Sequence, residues 1–192
     1  MTPVERARWE EHFARGRGFR GVAEQELRLL GEAVRPRVGA RALDIGCGLG
    51  TYAAALAGLG HDTLAVDWAD AAVAATRDRY ADLEPRLRVL RLDFEDGAEV
   101  AAKLPRTRFD LVTMRLALAF MSDKRAVADR VRGLLAPGGV WVVTTPLAER
   151  LPQERRHIGV TAQDVAMMTE GWARGEWYDL DAGGMRCFVL RA

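Results

Sequence analysis

The sequence predicts an α/β fold: a mostly parallel sheet wrapped by helices on both faces. Three observations carry this. Strand-like and helix-like segments alternate from Arg41 to about Pro146, the pattern of βαβ units and a parallel sheet. A turn with glycine at alternate positions, Gly46-Cys47-Gly48-Leu49-Gly50, joins the first strand to the helix after it. Acids stand at the ends of the first three strands, at Asp44, Asp67 and Asp93.

The elements follow in order. Residues 4–15 read as a short helix bearing Trp9, Phe13 and many charges, and Gly16, Gly18 and Gly21 then break the chain around Phe19 and Arg20. Residues 22–34 form an amphipathic helix with Val22, Leu27, Leu30 and Val34 toward one side. After Pro36, strands are expected at 41–45, 63–67, 87–92, 109–114 and 139–144, and helices at 50–59, 70–81, 97–103 and 123–135. Residues 147–160, following Pro146, carry Pro152 and the basic cluster Arg150, Arg155, Arg156 and His157, and read as an irregular loop. Thr161-x-x-Asp164 is a capping-box variant opening a helix to about Glu170. Trp177–Leu180 and Met185–Leu190 read as two strands joined across Asp181-Ala182-Gly183-Gly184, a hairpin signal.

The glycine turn narrows the ligand. A dinucleotide fingerprint, G-x-G-x-x-G, would place its third glycine at Thr51. Here the spacing is G-x-G-x-G, and Asp44 precedes it by two residues. A fixed carboxylate repels a phosphate and attracts a cation or an amine, so the turn suits a ligand with a positively charged end. Asp67 lies about twenty residues beyond the loop, where an acid meets a ribose in a doubly wound sheet; its carboxylate can accept from both ribose hydroxyls. Trp68 follows directly and is placed to cover an adenine face.

The pattern D-x-G-x-G-x-G at residues 44–50 resembles motif I of the class I S-adenosylmethionine-dependent methyltransferases, small bacterial-type members included. Phe109-Asp110-Leu111-Val112 is similar to that family's fourth-strand opening, and Pro137-Gly138-Gly139 to the turn before its fifth strand. The resemblance implies a Rossmann-like doubly wound sheet of seven strands, mostly parallel, closed by a C-terminal antiparallel hairpin. It implies S-adenosyl-L-methionine as cofactor and S-adenosyl-L-homocysteine as product. Cofactor contacts are expected from Asp44, Gly46, Cys47, Gly48 and Gly50 at the methionine end, with Tyr52 near its carboxylate. Asp67 and Trp68 are expected at the ribose and adenine, Asp93 at the adenine amino group, and Phe94 beside it.

Methyl transfer from a sulfonium needs positioning more than acid–base machinery, and no catalytic triad is evident. Strand four ends in Met114-Arg115-Leu116-Ala117-Leu118, without an Asn/Asp-Pro-Pro-aromatic run, a Pro-Cys nucleophile or a magnesium-binding aspartate cluster. Arg115 can pair with an anionic part of the cofactor or substrate through its planar fork, or instead form a salt bridge with Asp123 or a lid acid. His12 and His157 are the candidate general bases, set against the commoner reading of each as a plain surface histidine. Trp9, Phe13 and Phe19 either line a lid or staple a helix to the sheet. The expectation is a transferase acting on a small molecule. A catalytically silent cofactor-binding partner protein is the alternative, and an NAD-dependent oxidoreductase is disfavoured by Asp44 and Thr51.

Composition sets the frame. The chain has 192 residues, 49% hydrophobic and 29% charged, expected as one domain: a helical lid at 1–36, a cofactor-binding core at 37–146 and an acceptor-side segment at 147–192. A net charge of +1 gives no case for nucleic acid. Two cysteines, Cys47 and Cys187, suit a reducing, cytoplasmic setting. No signal-peptide core or bilayer-length apolar run occurs, so no membrane partner and no metal are expected, in a monomer or homodimer.

Overall fold

The computed structural model describes residues 3–18, 20–35, 37–180 and 184–192, with side chains from residue 6 onward. Phe19 and the hairpin turn at Asp181–Gly183 lie outside the described residues. Two helices lead the chain, α1 (Pro3–Ala14) and α2 (Glu24–Val34). The alternation then runs β1 (Arg41–Ile45), α3 (Thr51–Gly58), β2 (Asp62–Asp67), α4 (Asp70–Arg79), β3 (Leu87–Arg91), α5 (Gly97–Lys103), β4 (Phe109–Arg115), α6 (Lys124–Leu134) and β5 (Leu135–Pro146). It ends with α7 (Ala162–Thr169), β6 (Arg174–Asp179) and β7 (Met185–Arg191).

The seven strands form one sheet in the order β3-β2-β1-β4-β5-β7-β6. Neighbours from β3 to β5 pair parallel, and β7 pairs antiparallel with both β5 and β6. Direction of winding reverses between β1 and β4, and ligands bind at such a switch point, beyond the carboxyl ends of the strands.

The central strands are largely apolar on both faces because helices cover both. In β5, Trp141 and Val143 pack into a core with Leu43, Met114, Phe188 and residues of α5, α6 and α7. The intervening Val140 and Val142 pack with Leu30 of α2 and Tyr52 and Leu56 of α3. Period-two side-chain alternation thus sorts one strand into two cores.

Three segments differ from sequence expectation. β5 starts four residues early because Leu135 pairs with Phe109, and the register then jumps to Leu111↔Val140 around the Pro137-Gly138-Gly139 turn. β6 starts at Arg174, three residues early. Arg174-Gly175-Glu176 has little strand propensity, but β7 reaches to Arg191 and offers it a partner (Arg174↔Arg191). The segment 147–160 contains two 3₁₀ turns, Ala148–Arg150 and Gln153–Ile158. The Thr161 capping box is present, with Asp164 Oδ2 accepting from the Thr161 amide and the Thr161 hydroxyl accepting from the Asp164 amide.

Phe188 is only 2% exposed, whereas Trp177 on the outer strand is 57% exposed and lies under the Arg186 guanidinium. Urea denaturation is expected to show Phe188→Ala losing about 3–5 kcal/mol, and Trp177→Ala only about 0.5–1 kcal/mol, the scale of an exposed cation–π pair. Equal losses would contradict this assignment of the core.

Candidate active site

The glycine turn is held at both ends of its arc. The amides of Gly46 and Cys47 both donate to the Val66 carbonyl of β2, at 2.9 and 3.1 Å. The Gly48 amide donates to Asp67 Oδ2 at 2.9 Å, and the Thr76 hydroxyl of α4 donates to the Gly48 carbonyl at 2.8 Å. Two glycines are required by space as well as by backbone angle. A Cβ at Gly46 (φ +71°) would lie 2.7 Å from the Ala117 Cβ, and one at Gly50 (φ +76°) would lie 2.2 Å from the Thr76 side chain.

A cavity of about 290 Å³ opens over this turn at the carboxyl ends of β1, β2 and β4. Asp44, Asp67, Trp68, Asp93 and Phe94 line it from the strand tips, and Arg6, Trp9, Phe13 and Arg20 from the N-terminal segment. The structure therefore brings together all three strand-end acids. Gly46, Cys47, Gly48, Tyr52 and Arg115 also reach its wall.

Asp44 is 1% exposed. Its Oδ1 accepts a 2.7 Å hydrogen bond from the Thr113 hydroxyl, which the parallel register sets directly opposite. Among the described residues its Oδ2 has no partner, although it is fully buried. Burial pushes this carboxyl up to about 6, against the opposing pull of the Thr113 hydrogen bond and the Arg115 charge. Asp67 is also raised by burial; its Oδ1 and Oδ2 accept from the amides of Ala69 and Gly48. Asp93 Oδ1 accepts from the Glu95 amide at 3.0 Å, and its Oδ2 from the Arg6 guanidinium.

Arg115 is committed. Its guanidinium forms a two-pronged pair with Glu26 of α2 at 2.7 and 3.0 Å and donates to the carbonyls of Arg20 and Gly21. Both side chains of the pair are under 10% exposed, and the guanidinium also lies over the Tyr52 ring at 5.8 Å. Asp123 instead caps α6 through the Ala126 amide. Arg115 thus ties the N-terminal segment to the tip of β4. The Tyr52 hydroxyl is buried without a partner among the described residues, and burial pushes its pKa well above the ordinary tyrosine value. Burial likewise raises the Cys47 thiol, with Asp67 and Asp44 adding to the effect, so it remains a thiol at neutral pH.

Neither candidate base reaches the cavity wall. His12 sits on α1 edge-on to Trp9 and Phe13, and burial lowers its pKa. His157 is exposed in the turn Gln153–Ile158. Phe94 lies against the site with the Arg130 guanidinium over its ring at 5.6 Å. Among the described residues no group of three or more His, Cys, Asp or Glu side chains is arranged to hold a metal, and no helix is long and apolar enough to cross a membrane.

Several site residues escape sequence reasoning. Glu26 left one readable sign: it interrupts the four-residue spacing of Val22, Leu30 and Val34, and a carboxylate within an apolar stripe needs a buried partner. Thr113 is a lone hydroxyl in an apolar strand. Leu116 (φ +58°) turns the chain after β4, its amide donating to the Thr144 carbonyl, and nothing in its identity announces this. Arg6 and Glu10 meet the site only through tertiary contact.

Comparison with known proteins agrees with this geometry. A family described as a methyltransferase domain matches residues 43–141. Nocamycin O-methyltransferase of Saccharothrix syringae is 37% identical over 67% of this chain and 44% of its own length. The ubiquinone biosynthesis O-methyltransferase of Psychrobacter cryohalolentis is 30% identical over 73% of this chain and 51% of its own. The chain thus spans about half the length of these curated relatives. The N-methyltransferase NodS from Bradyrhizobium japonicum, solved with S-adenosyl-L-homocysteine, superposes with a TM-score of 0.73 at 19% identity, covering 96% of this chain and 95% of that one.

The raised Asp44 carboxyl has a consequence for stability. Between its ordinary 3.8 and about 6, the folded protein holds a proton that the unfolded chain has released. Stability contributed at Asp44 therefore falls as pH rises through this window and stays low above it. Asp44→Asn removes the buried charge. The ligand-free variant is expected to be about 2 kcal/mol more stable than wild type at pH 8, the gap closing toward pH 4, as read by urea denaturation. A variant less stable at pH 8 would contradict this.

Proposed function

The chain belongs to the methyltransferase-domain family, and from that premise we propose that it is a class I S-adenosylmethionine-dependent methyltransferase acting on a small-molecule acceptor. The observation that carries the proposal is the buried, unpartnered Oδ2 of Asp44 at the head of a cavity that Asp67 and Asp93 also line. A buried acceptor without a donor is costly, and the ammonium of a methionine moiety supplies one. The fit extends along the cavity. Each oxygen of Asp67 accepts one backbone amide and keeps a second lone pair for ribose hydroxyls. Trp68 and Phe94 offer faces to a purine, and Asp93 offers an acceptor for its amino group.

When bound, S-adenosylmethionine supplies an activated methyl group and a neutral thioether as leaving group. The chain's own residues position and exclude. The glycine turn permits close backbone approach, and the Arg115–Glu26 pair fixes the Arg20–Gly21 segment over the tip of β4. Trp9, Phe120 and Met121 give the remaining wall an apolar character that keeps water from the transferred group. This open, apolar wall favours a transferase over a silent cofactor-binding partner. With neither His12 nor His157 at the wall, the protein's part is orientation, and the acceptor oxygen is one that gives up its proton readily. The names of the nocamycin and ubiquinone-pathway relatives support oxygen as the attacked atom. Free cysteines at Cys47 and Cys187 support a reducing cytosolic setting.

Titration calorimetry is expected to show S-adenosylhomocysteine binding one to one. Asp67→Ala should weaken it about 100-fold, the scale of two charge-assisted hydrogen bonds, with circular dichroism confirming a folded variant. Incubation with S-adenosylmethionine and a panel of phenols and enols should release S-adenosylhomocysteine. Absent wild-type binding, or binding undiminished in Asp67→Ala, would overturn the assignment.

A further inference from the structure

Arg6 of α1 makes two contacts at once. Its guanidinium donates to Asp93 Oδ2, and it lies over the Trp68 ring with 5.6 Å from Cζ to the ring centroid. A flat, nitrogen-rich group that lies over an indole and donates N–H to a carboxylate presents the same two features as the face and amino edge of adenine. The remaining surroundings hold α1 in this position. Glu10 Oε1 accepts from the Ala71 amide in the first turn of α4 at 2.8 Å. Phe13 packs with Ala69 and Ala72 and stands within contact of Gly48. Trp68 is itself braced, since Arg91 Nε donates to its carbonyl at 3.1 Å.

We propose that Arg6 is a built-in stand-in for adenine: it occupies the base subsite of the ligand-free protein, and cofactor binding requires it to leave. This rests on the cofactor reading given above. Asp93 is only 12% exposed at its side chain, and Arg6 neutralises it while the subsite holds no purine. The Arg6 side chain, 38% exposed, can withdraw into water with little penalty. α1 is thereby a lid closed by the protein's own side chain. The cost of opening it falls on affinity, since a ligand that binds only the open form has its apparent Kd raised by the inverse of the open fraction.

The test is calorimetry of Arg6→Ala and wild type with S-adenosylhomocysteine and, separately, with adenosine. If the open form is about a tenth of the population, removing the side chain tightens both ligands about tenfold. Stopped-flow indole fluorescence should place most of this gain in the association rate. Arg6→Met serves if the alanine variant fails to fold. Unchanged or weaker binding of both ligands in the variant, with wild type still binding, would overturn the stand-in and leave the cofactor assignment intact. Failure of wild type and variant alike to bind either ligand would overturn both.

Discussion

The structure turns on one buried oxygen, Asp44 Oδ2. The sheet places it at the tip of β1, and Thr113 of β4 satisfies only its neighbour. Water cannot solvate a carboxylate that is 1% exposed, so its charge is costly until a donor arrives. A fold that keeps such an acid carries a free-energy penalty in the ligand-free state. The same penalty favours a ligand with a cationic head, because an anion there is repelled and a neutral donor supplies a hydrogen bond but no opposing charge.

The neighbouring features follow from having that acid at a switch point. Asp67 is spent partly on shape: its two oxygens hold the Gly48 and Ala69 amides, which set the curve of the turn and the start of α4. Thr76 fastens the turn from the other side through the Gly48 carbonyl. Arg115 performs the equivalent task for the N-terminal segment, through Glu26 and two carbonyls. Asp67 and Arg115, which read as ligand contacts in one dimension, thus also hold the frame.

Much of this was legible in the chain. Strand-end acids and the alternate glycines mark the cavity because they reflect local backbone needs and fixed register. The β1 to β4 alternation was legible because both faces of each strand are buried. What was hidden is tertiary. The early start of β6 comes from a partner strand, and the Arg115–Glu26 pair joins residues 89 positions apart. Arg6 reaches Asp93 across 87 positions. His12 and His157 carried suitable chemistry, but sequence gave no means of placing either against the cavity.

The most direct measurement is proton release on binding S-adenosylhomocysteine, from calorimetry at pH 5.5 in buffers of different ionisation enthalpy. An Asp44 carboxyl that is largely protonated in the ligand-free protein must ionise to receive the ammonium. Most of one proton should leave at pH 5.5, little should leave at pH 7.5, and Asp44→Asn should abolish the difference. Binding whose proton count stays the same at both pH values in wild type would contradict the account.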